Sequence, residues 1–319
     1  MKTFRRIARF AALALLVAAL FSGTATAQAP DFVSIGTASP AGAYYPLGVA
    51  MADLWNRNID GTRFSAQETG GGVANVNMLA GGEIELGIAN ENIAWGAGQG
   101  NEPFGSPITL EGGWTMNASY ALIVAPADSG LESVADLTGK RVSFGAPGSS
   151  GNVLGQRLLE SQGVTDGSYT PVFMGWQESA DAIADGSLDA AVMVGGQPFP
   201  AVESLAVRMP ITILDFDAER LADSPGFPLV AGTIPANTYN NLAEESDAIM
   251  VRSIIYIQPG LDEETVYQMV KTVFENIPAL KAAHPSGDQA ALLSEAQAAE
   301  LDLTMHPGVI RYAKEVGAW

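Results

Sequence analysis

Cysteine is missing altogether. No disulfide can form, no thiolate can hold zinc, and no residue could carry a lipid anchor after a leader. Histidine is almost as scarce. Only His284 and His306 occur, each followed by proline in polar sequence, a setting for turn residues rather than general bases. Basic residues are few, with 16 Lys and Arg against 35 Asp and Glu. Such a surface repels nucleic acid and anionic lipid. It does not forbid an anionic ligand, because a local pocket of backbone dipoles can oppose the global field. There is no P-loop, no G-x-G-x-x-G and no H-E-x-x-H. Gly148-Ser149-Ser150-Gly151 does not fit the G-x-S-x-G elbow. Asp181 to Asp189 does not have the spacing of a calcium loop.

What is there begins with a leader. Lys2, Arg5, Arg6 and Arg9 precede the apolar run Phe10 to Phe21, which is too short to span a bilayer, and Ala25-Thr26-Ala27 is a small-residue cleavage pattern. A secretory signal peptide over 1–27, cleaved after Ala27, is expected. The residues flanking Arg5-Arg6 do not support the twin-arginine route. Cleavage leaves 35 acidic against 12 basic residues, a net charge of about −23. The expected compartment is the periplasm of a Gram-negative bacterium, with free diffusion there. About 290 remaining residues suggest one or two domains with sizeable cores.

Short strand and helix signals alternate through most of the chain. Asp31 to Ile35 reads as a strand, Val49 to Trp55 as a helix, Arg63 to Gln67 as a strand, Val73 to Ala80 as a helix and Ile84 to Ala89 as a strand. That is β-α-β-α-β, the grammar of a doubly wound α/β sheet. Tyr120 to Ala125 reads as a buried strand. A second unit then repeats the pattern: strand Val142 to Phe144, helix Val153 to Gln162, strand Val172 to Met174, helix Glu178 to Asp185 and strand Ala190 to Val194. Ala290 to Glu300 reads as helix. The expected architecture is a two-lobed, discontinuous α/β fold with a ligand cleft between lobes. Lobe 1 comprises 28–120 plus 233–319 and lobe 2 comprises 121–232, with crossings near Ala121 and Gly232.

The positive signal lies in the loops. Ile35 to Gly48 is a small-residue turn followed by Tyr44 and Tyr45, between a strand and a helix. Gly70 to Val73, Gly148 to Asn152 and Gly195 to Pro198 hold comparable places. In such sheets ligands sit beyond the carboxyl ends of the strands. Glycines let a ligand approach the backbone, and helix starts offer unpaired N–H groups that suit a carboxylate.

Five stretches carry a family resemblance: IGTASPAGAYYPLG at 35–48, ETGGGVANVNML at 68–79, GKRVSFGAPGSSGN at 139–152, ENIPALKAAHP at 275–285 and HPGVIRYAKEVG at 306–317. In order and over nearly the whole chain, they resemble the TAXI family of solute-binding subunits of TRAP transporters. The resemblance implies a two-lobed, type II-like periplasmic binding-protein fold and delivery of a small carboxylate, such as glutamate or 2-oxoglutarate, to a TRAP-type membrane permease. It implies ligand contacts at Ser39, Ala43, Tyr44, Gly71, Gly72, Val73, Asn92, Ser149, Ser150, Gly151, Asn152, Gly195, Gly196 and Gln197. The chain departs from the family pattern at Asn152, where threonine often follows the glycine, and at Asn92.

The expected protein is therefore a monomeric receptor for a small anionic solute, with no catalytic residue, cofactor, metal or nucleic-acid partner. Two alternatives remain open at this level. One is an exported ligand-sensing partner of a signalling protein. The other is a hydrolase using Ser149 or Ser150, against which the scarcity of histidine argues.

Overall fold

The computed structural model describes residues 29–319 except Pro225, Pro228 and Asn241. The expected leader at 1–27 lies outside the described residues. The alternation of apolar runs and small-residue loops yields β1 (Phe32–Gly36), α1 (Tyr44–Asn58), β2 (Arg63–Gln67), α2 (Gly72–Gly81), β3 (Leu86–Asn90) and α3 (Glu91–Gln99). β1 pairs in parallel with β2 on one side and β3 on the other. After the long strand β4 (Glu111–Pro126) the pattern repeats with β5 (Arg141–Ser143), α4 (Ser150–Ser161), β6 (Thr170–Val172), α5 (Trp176–Ala184), β7 (Ala190–Gly195) and α6 (Pro200–Arg208). β5 pairs in parallel with β6 and β7. Then come β8 (Ile211–Ile213), α7 (Ala218–Ala222), β9 (Val230–Ile234) and β10 (Ser246–Ile257). The chain finishes with α8 (Glu263–Phe274), α9 (Ile277–Ala283), α10 (Glu295–Glu300) and α11 (Pro307–Glu315).

Both parallel trios belong to one sheet, in the order β2-β1-β3-β10-β4-β7-β5-β6, with β8 beside β4 and β9 beside β10. The centre is antiparallel. β10 pairs with β3 through 253–257, with β4 through most of its length and with β9 through 246–250. β4 pairs with β7 through 120–124 and with β8 through 124–126. The two central strands thus run from one trio into the other, which makes the fold two-lobed.

The sequence suggests only the second part of β4, because Glu111-Gly112-Gly113 and Asn117 to Ser119 have little strand preference. Pairing with β10 imposes the strand. A Cβ on Gly113 would lie 2.6 Å from the Ile255 carbonyl oxygen, so glycine permits the close approach. The register slips around Ser253 and Ile254. The C-terminal segment docks on the first trio. Trp55 of α1 is fully buried, meets Trp114 edge-on at 6.4 Å and donates its indole N–H to the Met269 carbonyl of α8 at 3.0 Å.

Three sequence expectations shift. α1 starts at Tyr44 rather than Val49, and α4 at Ser150 rather than Val153. Pro46 fits because proline is tolerated in a helix's first turn. Residues expected in loops thereby become helix starts. The helix expected over 290–300 spans only Glu295–Glu300, because Ala291 exchanges backbone hydrogen bonds with Thr115 of β4 at 2.9 and 3.0 Å.

Candidate functional site

The carboxyl ends of both parallel trios face one seam. On the first side Thr37 Oγ1 donates to the Gln67 carbonyl at 2.6 Å. Asn75, fully buried in α2, donates to the Thr37 and Ile88 carbonyls at 2.7 and 2.8 Å. Its Oδ1 accepts from Thr69 Oγ1 at 2.7 Å. One amide therefore ties the ends of β1 and β3 to the loop after β2. Sequence reasoning missed Asn75; the available signal is a polar residue inside the apolar stripe Val73, Val76 and Leu79.

On the second side the loop after β5 is clamped by its own side chains. Ser149 Oγ donates to the Phe144 carbonyl at 3.0 Å. Asn152 donates to the same carbonyl at 2.7 Å and to Ser149 Oγ at 3.1 Å, while its Oδ1 accepts from the Gly148 N–H at 3.2 Å. Every polar atom of Asn152 is thus turned toward its own loop.

The two sides touch. The Val73 and Ala74 N–H groups, in the first turn of α2, both donate to the Gly148 carbonyl, at 3.0 and 3.2 Å. A Cβ on Gly70 would lie 2.6 Å from the Pro147 carbonyl oxygen, and one on Gly72 2.8 Å from Ser150 Oγ. Glycine alone allows this approach. What remains between the sides is a cavity of about 40 Å³.

Of the expected residues, Ser39, Ala43, Tyr44, Gly71, Gly72, Ser149, Ser150 and Gly195 line this cavity. Val73, Asn92, Gly151, Asn152, Gly196 and Gln197 lie off its lining. Gly196 sits in the seam, where a Cβ would meet Asn117 Nδ2 at 2.5 Å, Ser286 Oγ at 2.8 Å and Ala43 Cβ at 3.1 Å. Gln197 accepts the Tyr239 hydroxyl, which in turn accepts the Phe199 N–H at 2.9 Å, so it positions Phe199. Asn92, in the first turn of α3, is buried, and its Oδ1 has no hydrogen-bond partner among the described residues. Glu91, the first residue of α3, is buried and accepts from Arg252 Nε at 2.5 Å and from the Arg252 N–H at 2.9 Å.

Trp176 and Phe199 were not among the expected contacts. Both are buried, both line the cavity, and their rings meet edge-on at 5.8 Å and 73°. A Cβ on Gly145 would overlap the Trp176 ring, one on Gly151 would lie 2.8 Å from it, and one on Gly195 would overlap the Phe199 ring. Three glycines of the second side thus make room for rings. The signal was an aromatic residue standing just after each strand-end loop.

Tyr44 presents its ring to the cavity and its hydroxyl to the sheet. That hydroxyl meets Ser253 Oγ at 2.9 Å, and Ser253 also meets Ser119 Oγ at 2.6 Å and Asn90 Nδ2 at 3.2 Å. Burial pushes the phenol up to about 12, against the partial offset of these hydrogen bonds, so it stays neutral. The network joins α1 to β3, β4 and β10. Tyr45 is only half-buried and does not line the cavity.

Among the described residues, none that lines the cavity is charged and neither histidine reaches it. His284 accepts from the Ser286 N–H at 3.2 Å and His306 from the Gly308 N–H at 3.1 Å, so both cap helical turns. Both are buried, so the expected turn residues serve as buried caps. No base therefore stands beside Ser149 or Ser150. Among the described residues there is no group of three metal-ligating side chains, and no helix is long and apolar enough to cross a membrane.

The arrangement is a closed seam at which helix starts from two lobes meet, and its architecture recurs in solved structures. PhnD1 from Prochlorococcus marinus, in complex with methylphosphonate, is similar at a TM-score of 0.56 and 10% identity, over 91% of this chain and 100% of that one. The alkanesulfonate-binding protein SsuA from Xanthomonas axonopodis pv. citri, bound to MOPS, is similar at 0.51 and 18%, over 91% and 95%. A putative L-cystine ABC transporter from Listeria monocytogenes is similar at 0.52 and 12%, over 82% and 99%. At these identities the likeness establishes the fold, that of two-lobed solute-binding proteins. The model of the NMT1-like family matches residues 35–317, and this chain belongs to that family.

Proposed function

We propose that the protein is a periplasmic receptor that captures a small carboxylate between its lobes and delivers it to a TRAP-type permease. Lobe 1 is taken as 28–120 plus 233–319 and lobe 2 as 121–232. The observation that carries this reading is the convergence of α1, α2 and α4 starts on one cavity lined by Ser39, Ala43, Tyr44, Gly71, Gly72, Ser149, Ser150 and Gly195. Helix starts bring unpaired N–H groups and a partial positive charge to an anion without a buried cation. Methylphosphonate and MOPS, bound in two of the similar structures, carry a phosphonate and a sulfonate, so they support an oxyanion head but not a carboxylate in particular. The permease assignment rests on the TAXI-like motifs at 35–48 and 139–152.

Thermal-shift screening of acetate, propanoate, glutarate, glutamate and 2-oxoglutarate tests the reading, since a bound ligand raises apparent stability as it exceeds its Kd. A shift with at least one carboxylate, lost in Gly72→Val, is expected. A shift with a neutral sugar and none with any carboxylate rejects it. Copurification with a co-expressed TRAP permease in the presence of the shifting ligand tests the partner.

A further inference from the structure

The chemistry of the cavity wall narrows the ligand class further, resting on the carboxylate-receptor reading. Four features combine. The first is donors at two helix starts. The N–H groups of Gly72 in α2 and of Ser150 in α4, both residues of the cavity lining, have no acceptor among the described residues, whereas Val73 and Ala74 are spent on Gly148. The second is a side chain. Ser150 is only 6% exposed, lines the cavity, and its hydroxyl has no hydrogen-bond partner among the described residues. Its oxygen is open to the cavity and is a free donor for an entering acceptor. These groups together suit one oxyanion head.

The third feature is the rest of the wall. Tyr44, Trp176, Phe199, Val194 and Ala146 present hydrocarbon. Tyr44 spends its hydroxyl on Ser253. No Asp or Glu lines the cavity among the described residues, so an ammonium group buried there finds no counter-charge and faces the positive ends of helices. Burying a charge unpaired is strongly unfavourable. Gly42, Gly145, Gly151 and Gly195 already pack against the two rings of the aromatic wall, which leaves less ring face for a cation. The fourth feature is size. The cavity of about 40 Å³ is well below the roughly 150 Å³ of an apolar cavity that takes up benzene.

We infer that the cleft selects compact monoanions without an amino group, a short carboxylate or its sulfonate or phosphonate counterpart, over amino acids and dicarboxylates. Ser150 is the specificity-determining side chain for the oxyanion, and the Trp176–Phe199 wall excludes ammonium.

Calorimetric titration of the full protein with matched ligands tests this. Propanoate against alanine, acetate against glycine and against glycine betaine, and butanoate against glutarate and glutamate each vary one group. Propanoate and acetate are expected to bind at least 100-fold more tightly than alanine and glycine, and butanoate more tightly than glutarate. Ser150→Ala should weaken propanoate at least tenfold while leaving the thermal midpoint of the ligand-free protein in place. Ser150→Thr, which keeps the hydroxyl, should retain more affinity than Ser150→Ala. Alanine or glutamate binding as tightly as its amine-free partner overturns the inference while leaving the carboxylate receptor standing. Glycine betaine binding more tightly than acetate overturns it too, by showing that the rings serve as a cation cage. Binding of no carboxylate at all overturns both readings together.

Discussion

The two sides of the cleft look alike in the sequence, each a strand, a glycine-rich loop and a helix start, yet their glycines do different work. On the first side, Gly70 and Gly72 have no bulky neighbour of their own lobe at the Cβ position. A side chain there would meet Pro147 and Ser150 across the seam. On the second side, a side chain on Gly145, Gly151 or Gly195 would meet Trp176 or Phe199 of the same lobe. One set of glycines permits closure and the other permits an aromatic wall. A missing Cβ is the same chemical fact in both, and only its neighbour gives it meaning.

The sharpest way to break this comparison is to add the Cβ on each side. Gly145→Ala, at φ +80 and against the Trp176 ring, is expected to destabilise folding by about 3 kcal/mol, read by urea denaturation. Gly195→Ala should cost about 2 kcal/mol by ring overlap alone. Gly70→Ala should leave folding within about 0.5 kcal/mol but weaken ligand at least tenfold by calorimetry, because it obstructs only the closed seam. Should Gly70→Ala destabilise the ligand-free protein as much as Gly145→Ala does, the distinction between the two sides collapses.

Smaller effects sharpen the same picture. Tyr44→Phe keeps the ring and removes the hydroxyl from the Ser253 network. It should lower stability by about 1 kcal/mol and leave affinity within about threefold, whereas Tyr44→Ala should lose both. The last effect is with pH. Burial holds the His284 imidazole below its ordinary value, so the unfolded chain takes up the proton first. The stability linked to this residue is full above the ordinary value of about 6.5 and declines as pH falls, by at most about 1.4 kcal/mol per unit. Between pH 7 and 5 the wild-type protein should lose more stability than His284→Asn; equal slopes would separate His284 from that loss.

Much of the fold was legible because it rests on local patterns. Val33 and Ile35, Leu86 to Ala89 within the expected strand Ile84 to Ala89, and Ala190 to Val194 all form buried strand segments, each bounded by glycine or polar turns. The first part of β4 was not legible, since Gly112, Gly113 and Asn117 become strand only by pairing with β10. Of the site, the glycine and serine loops were visible as helix starts. Trp176 and Phe199 were hidden because each stands in the sequence as a single aromatic after a strand-end loop, and nothing local shows that the two rings meet over one cavity. Gly151, Asn152 and Gln197 were visible as loop residues, but the direction each faces is set by a partner: the Trp176 ring, the Phe144 carbonyl and the Tyr239 hydroxyl.

By itself the sequence determined the α/β alternation, the glycine-rich helix starts and the dearth of thiol and imidazole chemistry, because each depends on residues near one another or on composition. Tertiary structure alone decided which glycines face the seam, that Tyr44 turns its hydroxyl into the sheet, and that the cavity wall is aromatic and uncharged. Those outcomes depend on β4 and β10 carrying the chain from one trio to the other. That crossing brings residues as far apart as Gly72, Ser150 and Phe199 to a single surface, and no local pattern encodes that meeting.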